Sequence, residues 1–110
     1  MRGPRTGDLP VSRAVGANTA ALRVLHGWSQ RALATRTAAA GKHVGFSTIA
    51  RIEKAARPGE DPVAIYIDDV VSLATALGVT VTRLITPPNC TACMDQPPVG
   101  FTCRTCGTEA

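Results

Sequence analysis

Apolar residues recur along this chain at helical spacing over most of its length. Val15, Leu22 and Leu25 share one face of a first helix starting from Val15, in which Ala20 and Ala21 favour helix and Gly27 supplies the stop. Ser29 can cap a second helix, SQRALATRTAAA, which ends at Gly41, where a left-handed residue is inexpensive. In STIARIEKAAR, Ile49, Ile52 and Ala56 repeat at i, i+3 and i+7, which predicts a third helix capped by Ser47 or Thr48. PGEDP is turn chemistry, and the short run VAIYI after it, ambiguous by pattern, reads as an extended connector. Asp68 or Asp69 can cap a fourth helix, DDVVSLATALG, whose Val70, Leu73, Ala74 and Leu77 form an apolar stripe before Gly78. A short fifth helix starts at Thr80, buries Val81, Leu84 and Ile85, and stops at Pro87 and Pro88. The expectation is an all-α domain over residues 13–87. It is preceded by a basic flexible arm, 1–12, and followed by a cysteine-bearing tail, 88–110.

Composition supports the helical reading. Aromatics are 4% of the 110 residues, and Ala, Val, Leu and Ile supply most of the apolar content, a mix suited to packed helices rather than a sheet sandwich. No apolar run approaches the roughly 20 residues that span a bilayer, and the N-terminus lacks the apolar stretch of a secretion signal, so a cytoplasmic location is expected. The net charge of +4 conceals an asymmetry. Residues 1–57 carry 10 Lys/Arg against 2 Asp/Glu, a balance of +8, whereas residues 58–110 carry 2 against 6, a balance of −4. A compact basic half suits a polyanion, because neutralising phosphates releases condensed counterions, although charge alone fits a solvated surface equally well.

A single helix fits the major groove with its N-terminal side chains against base edges. The Ile49/Ile52 stripe must pack against the domain, so only the opposite face of the third helix can read nucleic acid. That face holds Ser47, Thr48, Arg51 and Lys54, with Lys42 and His43 in the preceding turn. The stretches LRVLHGWSQRALA, STIARIEKAAR and DDVVSLATALGVTVTRLI together resemble the XRE, or lambda-repressor-like (Cro-type), helix-turn-helix regulators over roughly residues 15–86. The shared pattern is an Arg in the first helix, Gly-x-Ser-Gln at the second, Ser/Thr-Ile-x-x-Ile-Glu in the third, and Leu-Gly-Val-x-x-x-x-Leu at the end. RTAAAGKHVGF is longer than the minimal turn and is similar to the long-turn variants of actinobacterial members. The resemblance implies a five-helix domain that binds double-stranded DNA as a homodimer on palindromic sites. It also implies Gln30 against a phosphate at the start of the second helix, with Arg31 beside it, and an Arg23–Glu53 pair beneath the DNA-facing surface.

The tail carries Cys90-Thr-Ala-Cys93 and Cys103-Arg-Thr-Cys106, two CxxC pairs separated by nine residues. Two thiolates three positions apart can grip one metal from a tight turn, and two such turns complete a tetrahedral site. With only Val99 and Phe101 as apolar cover, such a tail needs metal to hold it together. Structural Zn²⁺ is the expected ion and the tail resembles a short zinc ribbon. Disulfides, rubredoxin-like iron and redox-switching thiols are the other readings of the same cysteines. The tail's Asp95 and Glu109 against Arg104 favour contact with a protein partner over DNA.

No nucleophile, base and oxyanion constellation surrounds His26 or His43, and no Gly-rich phosphate loop is present, so an enzyme is not expected. The expected function is a sequence-specific transcriptional regulator acting at the nucleoid. The alternative is a protein-interaction module, such as an antitoxin or anti-repressor, in which DNA binding is secondary.

Overall fold

The computed structural model describes residues 9–87; the N-terminal eight residues and the tail from 88 onward, with all four cysteines, lie outside the described residues. The described residues form five helices and no strand: α1 (Pro10–His26), α2 (Gln30–Ala40), α3 (Phe46–Ala55), α4 (Ile67–Leu77) and α5 (Val81–Ile85). None of them is long and apolar enough to cross a membrane. Leu33, Ile49, Leu73 and Leu84, contributed by α2 to α5, are fully buried, and Val15 and Leu22 of α1 join the same core. In this core α1 packs on α3, α4 and α5, and α2 packs on α3 and α4.

The first helix starts at Pro10, earlier than Val15, so residues 10–12 belong to α1 rather than to an arm. Proline suits this position because the first helical N–H has no intrahelical partner and the ring already holds a helical φ. Arg13 then ties the first turn down, its guanidinium donating to the carbonyls of Ala55 at 3.0 Å and Glu60 at 2.8 Å. At the other end Gly27 closes α1 at φ 75°, a left-handed value. Leu25, expected inside, is 55% exposed.

Two helix starts also differ from the sequence expectation. Neither Ser47 nor Thr48 caps α3; Gly45 is the N-cap and Phe46 the first helical residue. Asp68 and Asp69 lie inside the first turn of α4, after the N-cap Tyr66, where their charge complements the helix dipole. Ser29 and Thr80 do cap α2 and α5, accepting from the backbone N–H of Ala32 and Arg83 at 3.0 Å each. The segment between α3 and α4 runs without regular structure over residues 61–66.

Helices α1 and α3 meet at backbone contact distance. A Cβ placed on Gly16 would lie 2.3 Å from the Ile52 carbonyl oxygen and 3.0 Å from Ala56 Cβ. Because backbone cannot yield as a flexible side chain does, Gly16→Ala is expected to lower unfolding free energy by roughly 1–3 kcal/mol in urea denaturation of the full chain. An unchanged midpoint would contradict this contact.

Candidate nucleic-acid interface

Three helices converge on one carboxylate. Glu53, near the end of α3, has a side chain only 5% exposed, and Arg23 in α1 grips it with two parallel bonds, Nε to Oε2 at 2.9 Å and Nη2 to Oε1 at 2.8 Å. The third guanidinium nitrogen, Nη1, donates to the Trp28 carbonyl at 2.8 Å, fixing the link between α1 and α2. Gln30, the first residue of α2, adds a bond from Nε2 to Glu53 Oε1 at 3.1 Å. The hydrogen bond to Glu53 raises the Arg23 pKa above its ordinary value, so the guanidinium stays charged wherever the protein is folded. One of the two Gln30 amide N–H donors is thereby used on Glu53, which orients the start of α2.

The same link carries a three-layer stack. His26 lies parallel to Trp28 with ring centroids 4.2 Å apart, and the Arg36 guanidinium of α2 sits 4.0 Å over the indole. Since a stacked imidazole covers one face of the ring, the guanidinium takes the other. His26 Nε2 also lies 3.0 Å from the Leu77 carbonyl oxygen at the end of α4.

Residues 41–45 connect α2 to α3, and their path is fixed from both sides. Gly41 adopts φ 137°, which other residues rarely reach. The buried Thr37 hydroxyl donates to the Ala34 carbonyl at 2.6 Å and accepts from the Val44 N–H at 2.8 Å. On the α4 side, the Lys42 N–H donates to Ser72 Oγ at 2.8 Å, and the Lys42 ammonium pairs with the buried carboxylate of Asp69. Lys42, an expected nucleic-acid contact, thus anchors the turn through Asp69 and Ser72 while about half of its side chain stays exposed. His43 beside it is exposed.

With Ile49, Ile52 and Glu53 buried, α3 turns Ser47, Arg51 and Lys54 outward at i, i+4 and i+7, with Thr48 half-buried beside them. Among the described residues neither Arg51 nor Lys54 is paired with a carboxylate. Arg31, on the exposed side of α2, holds its guanidinium 4.0 Å over the Phe46 ring. A cavity of about 190 Å³ opens between α3 and the segment before α4, lined by Lys42, Thr48, Arg51, Ile52, Tyr66 and Asp69 among others. The arrangement presents hydroxyls and cations without a carboxylate partner among the described residues, on a helix anchored through Glu53.

Sequence reasoning missed Phe46, Tyr66 and the Arg36–Trp28–His26 stack. Gly45 was the available signal for Phe46, since an extended glycine before a helix-forming run marks an N-cap. The Lys42–Asp69 pair spans 27 residues and leaves no periodic trace. Cys90, Cys93, Cys103 and Cys106 lie outside the described residues. Comparison with family models, curated proteins and solved structures gives no match for this chain.

Removing Arg23 alone leaves a buried carboxylate held by one neutral amide. Arg23→Met is expected to cost roughly 3 kcal/mol in urea denaturation, and Arg23→Met combined with Glu53→Met to recover most of that loss, because the second change removes the stranded charge. Strictly additive losses would show that the two side chains act independently.

Proposed function

We propose that this chain is a sequence-specific DNA-binding transcriptional regulator of the XRE, lambda-repressor-like type, in which α2 and α3 form a helix-turn-helix and α3 enters the major groove. One observation carries the reading: α3 exposes Ser47, Arg51 and Lys54 on the face opposite its buried stripe, with Thr48 half-buried beside them and both cations lacking a carboxylate partner among the described residues. Side chains near the start of such a helix meet base edges, and those further along meet phosphates. In this reading Arg51 donates to a base edge, Lys54 and Arg31 neutralise phosphates, and Ser47 and Thr48 hydrogen-bond at the groove. Buried Glu53, held by Arg23 and Gln30, fixes the entry angle of α2 and α3.

The +8 balance of residues 1–57 supports a polyanion partner, and the reading implies a cytoplasmic, nucleoid-associated protein without catalytic chemistry. Homodimers on palindromic sites go with this type of domain. The proposal extends to the tail, where Cys90, Cys93, Cys103 and Cys106 bind one structural zinc in a ribbon-like unit that engages a protein partner; the spacing of the two CxxC pairs supports this. A second reading, a protein-interaction module such as an antitoxin or anti-repressor, draws support from the exposed Val24 and Leu25 on α1 and Ile67 and Val71 on α4.

The test is fluorescence anisotropy of the zinc-loaded full chain on labelled duplexes across a salt series, repeated after chelation. Tight, sequence-selective and salt-dependent binding is expected. Arg51→Ala should weaken the selected site by about 1–3 kcal/mol while relaxing specificity, and Lys54→Ala should weaken all sequences alike with a salt slope reduced by about 1. Metal analysis should find about one zinc per chain, lost on Cys103→Ser. Absence of DNA binding at low salt would abandon this reading in favour of the protein-interaction module.

A further inference from the structure

An aromatic ring opens the proposed reading helix. Phe46 is the first residue of α3 and is 39% exposed, although a phenyl group gains from burial. One of its faces is covered by the Arg31 guanidinium, 4.0 Å from the ring centroid. The residue before it, Gly45, has open space within 4 Å of where a Cβ would stand. An exposed apolar ring therefore stands at the end of α3 where base edges are met, beside the hydroxyls of Ser47 and Thr48.

In the major groove the apolar feature that distinguishes one base pair from another is the C5 methyl of thymine. Resting on the proposed DNA-binding function, we infer that Phe46 is a specificity-determining residue that packs on a thymine methyl in each half-site, selecting T·A at that position. The stacked guanidinium is part of the same device. A guanidinium lying flat on a ring keeps its N–H donors in its own plane, directed past the ring edge. The pair therefore offers an apolar contact for a methyl and, next to it, cationic donors for the adjoining phosphate. Phe46 reads the base and positions Arg31; Arg31 covers the ring face that would otherwise meet water.

Deoxyuridine isolates the contact, since it pairs as thymine does and lacks only the methyl. The full chain is used to select sites from random-sequence duplexes, and each T·A pair of the recovered site is then replaced by dU·A in turn. Replacement at one pair per half-site is expected to weaken binding about fourfold, the effect of withholding one methyl-sized apolar group from contact. Phe46→Ser and Phe46→Gln should each bind the T and dU duplexes equally. Because the side chain is partly exposed and Gln is a good helix former, the second variant guards against loss of the helix. A flat dU scan with the wild-type chain, or a fourfold preference that survives in either folded variant, overturns the assignment of Phe46 while leaving the regulator reading intact. Failure of the selection to enrich any sequence overturns both.

Discussion

Everything at the proposed binding face depends on how the Glu53 carboxylate is held. A carboxylate with a 5% exposed side chain is costly to remove from water unless each oxygen finds a donor. Here the donors come from α1 (Arg23) and from the first residue of α2 (Gln30), while the carboxylate belongs to α3. Satisfying one charge therefore fixes the mutual placement of three helices. The bidentate geometry adds direction, because the planar guanidinium donates to both carboxylate oxygens in one orientation. Arg23 also bonds the Trp28 carbonyl, so the α1–α2 link is set by the same group.

Around this centre the fold removes the freedom that a long connection would bring. Residues 41–45 are tied to α2 through Thr37 and to α4 through Ser72 and Asp69, so α3 starts from a fixed point. At its other end α3 presses its backbone against Gly16 of α1. A helix held at both ends presents Ser47, Arg51 and Lys54 in one orientation, which lowers the ordering cost of binding. The same economy separates cations by role. Arg23 pairs with Glu53 and the half-exposed Lys42 with Asp69, whereas Arg51 and Lys54 have no carboxylate partner among the described residues.

Much of the helical framework was legible because its boundaries rest on local chemistry. Gly27 and Gly78 close helices in the left-handed conformation, and Ser29 and Thr80 open them with side-chain caps, so a few adjacent residues decide each end. The start of α1 had a local signal in Pro10, which suits a first helical position, whereas the anchoring of that turn by Arg13 on Ala55 and Glu60, more than 40 positions away, leaves no local trace. Periodicity placed Leu25 on the buried face, but it is 55% exposed, since period assigns a face and not which of its positions another helix covers. At the candidate site, period alone separated the outward face of α3 from its buried stripe. It could not reveal that Lys42 and Gln30 have internal partners, since those depend on how distant elements pack.

The central claim is that the exposed face of α3, together with the start of α2, is the surface that meets DNA. Amide chemical-shift mapping of the isotope-labelled full chain during titration with a short DNA duplex tests it most directly. The account predicts that the largest changes fall at residues 29–31 and 45–54, while the amides of Val24, Leu25, Ile67 and Val71 stay unmoved. Changes centred on those four apolar residues, or no change at low salt, would contradict it.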